Sequence, residues 1–488
     1  MSPDEIRVPG TSRVYSRRRI LIVLLLPLAM ALIAVSAINV ALPAVATGLG
    51  ASDSQLQWVV AGYALTFGVF LVPAGRAGDV LGRGVFYVAG VVIFTAASLW
   101  CGLATNPTSL NIARALAGLG AGFMNPQSLG MVQQYFSGLA RARAFALFGM
   151  VISLSVAFGP VLSGTVITWL GPQLGWRASF LVNVPLGLLA IALSLTWLPF
   201  QRERELWRSR RTVGSPTEKI DLDPLGAIVL SASVASFMWP FMTKGSSARW
   251  IALPLSALLA WTWVVWERRY ASSGRSPLIR LELFSLPSFA YGTAISGLFF
   301  LGAPSVFVTM AIFLQSGLGT SAMIAGLIGL PNALASAICA GYVAKRVLRT
   351  GPLIVVISVI AALLGVAASA LVIYGVEHWG LSFWWLLATL GLMGAGQGAF
   401  GAANQTLALA DVPPEDGGAA GGVKSTAERL GTAVGVAVVT GVLFSVGAMA
   451  GWTWGAVAAC LVNVAFLLLS LIGSLRDWAR SHPREAAH

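Results

Sequence analysis

Apolar residues run in long stretches from Ile20 to Leu475, broken only by short islands of glycine, proline or charge. A helix crossing a bilayer needs about 20 apolar residues, whereas a membrane β-barrel shows alternating segments of about 10. The pattern therefore predicts an all-α polytopic membrane protein of about 14 helices. The expected spans are 20–43, 55–75, 84–104, 108–131, 141–171, 176–199, 223–244, 249–267, 285–314, 320–343, 352–376, 382–410, 424–449 and 451–475. The run that begins at Ile20 follows a basic segment, as in a signal peptide, but continues to Pro43 without a cleavage site and is expected to stay as the first helix.

Polar segments divide the spans into six, two and six. The expected layout is an N-terminal tail (1–19), a six-helix bundle (20–199), a linker (200–222), an inserted two-helix hairpin (223–267), a second linker (268–284), a second six-helix bundle (285–475) and a tail (476–488). Secondary transporters are often built from such related halves. Basic residues fall on one face: Arg17 to Arg19, Arg76, Arg83, Arg141, Arg143, both linkers, Lys345, Arg346, Arg349 and the tail. Only Arg177, Lys244 and Arg249 fall on the other. Positive loops stay cytoplasmic, so both termini are expected in the cytoplasm and the protein in the inner (cell) membrane.

Composition sharpens this picture. With 57% hydrophobic and 10% charged residues among 488, the chain has more apolar surface than a soluble core can bury. The formal charge of +13 is mainly a topology signal, with attraction to anionic membrane lipids as a consequence. No basic soluble domain exists to bind nucleic acid. Cys101, Cys339 and Cys460 lie in separate spans, and His378 and His482 fall in a loop and the tail, so neither disulfides nor a metal is expected. No G-x-x-x-x-G-K-[ST] loop is present, no cofactor is expected, and ATP is not the energy source.

The stretch GRAGDVLGRG, Gly75 to Gly84, concentrates charge and glycine between two apolar runs and reads as a tight turn. It resembles the loop signature of the major facilitator superfamily, with Gly75, Gly78, Asp79, Gly82 and Arg83 matching, and Val80 and Gly84 in place of basic residues. The segment GYVAKRVLRTG is a weak internal echo, with Lys345 where Asp79 would stand. NIARALAGLGAG resembles the R-x-x-Q-G-x-G pattern through Arg114, with Ala117 in place of glutamine. SVAFGPVLSG, with Gly159, Pro160 and Gly164, is similar to the antiporter signature of the fifth helix. INVALP and GWRASFLVNVPLG look like elements of the fourteen-helix drug:proton antiporter family, and the resemblance covers essentially the whole chain. It implies a two-bundle major facilitator fold with a central cavity, exporting lipophilic compounds by alternating access.

Charge inside hydrocarbon costs about 2.5–3.5 kcal/mol on insertion scales, which singles out Arg114. Two readings stand: a cavity group for proton transfer or anion contact, and a clamp between the first and fourth helices. Many relatives carry an aspartate where this chain has Ala34, and the carboxylates from Asp53 to Asp477 all read as loop or helix-end groups. The proton-coupling candidates are therefore Arg114, Asp79 and Glu428, the last expected in an ion-paired helix start with Lys424 and Arg429. Cavity candidates are Asn39, Arg114, Asn125, Gln127, Asn332, Gln397 and Asn404, each equally able to bond a neighbouring helix. The expected cytoplasmic gate comprises Gly75, Asp79, Gly82, Arg83, Arg141, Arg143, Lys424 and Arg429. Trp261, Trp263 and Trp266 read as an interfacial belt.

The resulting expectation is a monomeric secondary transporter, not an enzyme, that exports hydrophobic or amphipathic molecules in exchange for protons. A lipid or glycolipid translocator on the same fold stays open, favoured by Ala34 and Arg114. An intramembrane enzyme lacks the necessary residue cluster, and a non-transporting scaffold is the weakest rival.

Overall fold

The computed structural model describes residues 5–7, 14–200, 221–242, 247–320 and 322–485. Most of linker 200–222 and Lys244 lie outside the described residues, as do the side chains of Asn39, Asp53 and His482. A bilayer offers backbone groups no water, so each crossing segment must satisfy its own N–H and C=O groups. The membrane segments are accordingly helical. The helices of the described residues are α1 (Arg17–Leu49), α2 (Asp53–Leu81), α3 (Arg83–Leu103), α4 (Pro107–Tyr135), α5 (Gly138–Leu181) and α6 (Asn183–Trp197). Next come α7 (Pro224–Met242), α8 (Ala252–Ser272), α9 (Pro287–Ile312), α10 (Ala322–Ala344) and the short α11 (Val347–Thr350). The chain closes with α12 (Leu353–His378), α13 (Leu386–Ala408), α14 (Gly417–Ala450) and α15 (Trp452–Glu485).

Among the described residues, 12 helical stretches are long and apolar enough to cross a membrane. One of them, Gly138–Trp197, has 60 residues. At 1.5 Å per residue that is about 90 Å of helix, roughly three times a bilayer core. It is interrupted at Gly171, where φ is 76°. The twelve leave out α4, whose 29 residues carry glycines, Arg114 and several amides.

The chain divides into two compact units. One comprises Met1–Ser137, Leu162–Ser285 and Val412–Thr426, the other Gly138–Val161, Leu286–Asp411 and Ala427–His488. Each contains the same chain of helix contacts. In the first, α2 packs on α4, α4 on α3, α3 on α6 and α6 on α1; in the second, α10 packs on α13, α13 on α12, α12 on α15 and α15 on α9. The halves thus repeat in packing where their sequences echo only weakly.

Side chains reaching foreign backbone hold these helices together. In the first unit Thr66 Oγ1 donates to Ala115 O at 2.7 Å and Tyr87 to Val23 O at 2.6 Å. The α7–α8 hairpin lies along α2. Gln57 donates to Met242 O, Trp58 packs on Trp239 with centroids 5.5 Å apart, Ser231 donates to Val69 O, and Arg76 to Asp221 O.

Three sequence expectations change. Gly75–Leu81 is the last part of α2, not a turn, because Gly75 packs directly on backbone; the reversal is confined to Gly82, at φ 111°. Lys424, Glu428 and Arg429 are not at a helix start, since α14 already begins at Gly417. Of the tryptophans, Trp261 is 65% exposed, but Trp263 is buried and Trp266 donates to Asp223 Oδ1 at 2.8 Å, so the belt reduces to one residue.

Candidate functional site

The signature stretch builds a latch inside the first unit. Asp79, in the last turn of α2, accepts the backbone N–H groups of Gly418 (3.1 Å) and Ala419 (2.8 Å) at the start of α14. The first N–H groups of a helix lack internal partners and carry its positive dipole end, so a carboxylate there is doubly favoured. Capping by Asp79 also explains why α14 starts seven residues before Lys424. The approach needs glycine at position 75: a Cβ there would stand 2.5 Å from Gly418 O.

Arg83 completes the latch. Its Nε and Nη2 bind Asp79 Oδ1 at 2.8 and 2.6 Å, Nη1 binds Gly130 O at 2.8 Å and Gln134 Oε1 at 3.0 Å, and Nη2 donates to Pro414 O. One guanidinium thus joins α2, α4 and the turn before α14. Both charged groups are buried, at 9% and 8% exposure, so the pair is held by hydrogen bonds as well as charge. A cavity of about 220 Å³ opens beside them, lined among others by Gly78, Asp79, Gly82, Arg83, Gln134 and Glu415. Asp416, next to it, pairs with Arg280 at 3.2 Å.

Arg114 sits deep in the same unit at 1% exposure. Its Nε donates to Val59 O at 2.8 Å, and its guanidinium lies 4.5 Å from the Tyr63 ring and 5.9 Å from that of Phe180. It therefore ties α4 to α2, not to α1 as the clamp reading has it. Among the described residues no carboxylate forms an ion pair with it.

The amide candidates divide by what they bond. Gln127 Nε2 donates to Ala74 O at 2.6 Å, Asn332 to Leu390 O at 3.1 Å and Asn404 to Gly292 O at 3.0 Å, each joining two helices. Asn125 Oδ1 accepts from Ser425 at 3.2 Å. Gln397 is half-buried, with an Oε1 that has no partner among the described residues. Asn39 stands on α1, its side chain outside the described set.

In the second unit, Glu428 accepts from Ser296 Oγ at 2.7 Å, about three turns inside α14. A carboxylate within an apolar span is thus present after all. Arg141 and Arg143 stand on the first turns of α5, and Arg429 follows Glu428. Lys424 is buried in the first unit. Gly159 and Pro160 lie in α5 twelve and eleven residues before its break at Gly171, and Gly164 faces Val40 of α1.

Sequence reasoning missed two groups of polar residues. Arg177 donates to Gly102 O (3.0 Å) and Ala104 O (2.7 Å), closing the C-terminal end of α3, where a cation suits the exposed carbonyls. Asp223 and Glu267 meet, both buried, in the α7–α8 hairpin. The sequence Asp-Pro at Asp223–Pro224 is a helix-start signal that could have found the first acid.

Residues 24–435 match the family model of the Major Facilitator Superfamily. The chain belongs to this superfamily. It is 33% identical over 420 residues to the probable actinorhodin transporter of Streptomyces coelicolor, covering 83% of this chain and 68% of the relative. It is 32% identical over 421 residues to the puromycin resistance protein pur8 of Streptomyces alboniger, covering 85% and 79%. The multidrug resistance protein Stp of Mycobacterium tuberculosis is 30% identical over 413 residues, covering 83% and 72%. Among solved structures, that of the human organic anion transporter MFSD10 matches with a TM-score of 0.65 at 18% identity, over 94% of this chain and 99% of that one, which speaks to the fold. The protein is thus a multi-pass membrane transporter whose relatives include antibiotic and multidrug transporters.

Proposed function

We propose that the protein exports hydrophobic or amphipathic small molecules of antibiotic type from the cytoplasm across the cell membrane by alternating access, in exchange for protons. The observation that carries this reading is the match, over more than four-fifths of the chain, to the actinorhodin transporter and the puromycin resistance protein. With α4 counted and Gly138–Trp197 crossing twice, the chain makes fourteen crossings and keeps both termini in the cytoplasm, in accord with its basic loops. The protein works as a monomer of two six-helix bundles with α7–α8 inserted.

In this reading Asp79 and Arg83 are the cytoplasmic latch. Releasing Gly418 and Ala419 from Asp79 frees the start of α14, and closing it restores two charge-assisted hydrogen bonds. Arg141, Arg143 and Lys424 complete the gate, with Arg429 deeper along α14, and the bend that permits rocking falls near Gly159 and Pro160. Arg114, Asp79 and Glu428 are the charged groups of the coupling step. Gln397, Asn39 and Asn125 are the amides assigned to the polar parts of the substrate, whereas Gln127, Asn332 and Asn404 are engaged with neighbouring helices.

Dye uptake into inverted membrane vesicles under an imposed pH gradient tests this, comparing the native chain with Arg114→Gln. Gradient-driven uptake in the native chain, lost in the variant, is expected. Native vesicles that ignore the gradient with every lipophilic dye would overturn proton-coupled drug export.

A further inference from the structure

Two acids in the α7–α8 hairpin have no assigned role. Asp223 is the residue before α7 and is fully buried; Glu267 lies on α8 and is 1% exposed. Asp223 Oδ1 accepts from Gly226 N at 3.0 Å and from Trp266 Nε1 at 2.8 Å. By contrast Asp223 Oδ2 makes no hydrogen bond among the described residues, and Glu267 has the Asp223 carboxyl, the Ile279 N–H and the buried Trp263 indole N–H close by, none of them in full hydrogen-bond geometry. Glu267 projects from α8 into the start of α7: a Cβ on Gly226 would meet Asp223 Oδ2 and, at 2.9 Å, Glu267 Oε1. Asp223 is also the only residue other than glycine with positive φ, 42°, among the described residues. The fold therefore holds two carboxyl groups against each other, in place and out of water.

Two adjacent buried carboxylates cannot both carry charge without a counter-ion, since each loses its hydration and repels the other. The nearby charges have other partners or, like Arg268 and Arg269 on α8, are exposed side chains. On α2, Arg76 donates to the carbonyls of Asp221 and Ser276; on α8, Tyr270 donates to Asp221; after α8, Arg275 lies 5.4 Å from the Tyr270 ring and Arg280 pairs with Asp416. Among the described residues no arginine or lysine forms an ion pair with either acid. A cleft of about 460 Å³, lined by Glu267, Arg268, Arg275 and Arg280, gives access from outside the hairpin.

We propose that Asp223 and Glu267 form a proton-binding site, in which one hydrogen shared between the two carboxyl groups fastens the start of α7 to the end of α8. Binding adds one proton and leaves one negative charge on the pair; release through the cleft leaves two anions that push the helices apart. The flanking segments grip Arg76 on α2 and, through Arg280, Asp416 before α14. Proton release thus loosens both anchors of the hairpin beside the Asp79 latch.

Infrared difference spectroscopy of the purified full chain in lipid nanodiscs, on stepping the pH upward, reads the site without any transport assay. The native chain is expected to lose one protonated-carboxyl band that is missing from both Glu267→Gln and Asp223→Asn, whose amides imitate the protonated acid in shape. Thermal unfolding gives the second reading: the native midpoint falls as pH rises through that step, while that of Glu267→Gln stays level. A band that survives in both variants, or native and variant midpoints that fall in parallel, would overturn the proposal.

Discussion

Arg83 reaches Asp79 at 2.6 Å across Gly82, the one residue between α2 and α3. The spacing is that of one helical turn, yet each residue belongs to a different helix, so the ion pair bridges the break. Asp79→Asn keeps the shape but leaves Arg83 buried without its anion and weakens the cap on α14. Removing one partner of a buried pair costs about 3–5 kcal/mol. The variant is expected to insert in the membrane, unfold at a lower temperature and lose most transport. Native-like uptake and unfolding temperature together would show that the latch carries no load.

Close backbone approach predicts a contrast between glycines. At Gly75 a Cβ would collide with the carbonyl of Gly418, whereas at Gly401 on α13 it would meet nothing within 4 Å. Overpacking costs about 1–3 kcal/mol, while an unhindered Gly→Ala change in a helix gains about 0.5–1 kcal/mol. Gly75→Ala should lower the thermal midpoint and Gly401→Ala should hold or raise it. Equal effects of the two substitutions in the same melting experiment would contradict the packing of α2 on α14.

Arg114 offers a test of shape against charge. Lysine keeps the charge but lacks the Nε–H that binds Val59 O and the plane that lies against Tyr63. The contact with the ring alone is worth about 0.5–2 kcal/mol. Arg114→Lys is therefore expected to lose transport nearly as far as Arg114→Gln does. Retained uptake in the lysine variant would mean that a point charge suffices.

The helical class and most spans were legible because bilayer thickness imposes a length that periodic apolar runs display directly. The latch residues were legible too, since Asp79 and Arg83 are charges where hydropathy asks for none. Where Gly75–Leu81 belongs was not: glycines inside a helix and glycines in a turn look alike until the backbone packed against them, here Gly418, is known. The start of α14 was hidden for the same reason, because the group that caps it lies more than three hundred residues away. Asp223 and Glu267 each looked like a helix-end acid; only the pairing of α7 with α8 makes them one buried group.

Asp221 should give the opposite pH response from the acid pair two residues on. Burial acts against its ionisation, but hydrogen bonds from the Tyr270 hydroxyl, the Ser276 N–H (3.0 Å) and the Asp223 N–H, with the charge of Arg76, outweigh it and hold its carboxyl below the usual range. A carboxyl that ionises more readily folded than unfolded stabilises the fold above its unfolded value, about 3.9. That stabilisation fades as pH falls through the folded value. Asp221→Asn should therefore lower the thermal midpoint at neutral pH and converge with the native chain in acid. Melting curves collected from neutral to acidic pH check this; a gap between the two proteins that widens in acid would reverse the assignment of Asp221 as an ionised anchor for Tyr270.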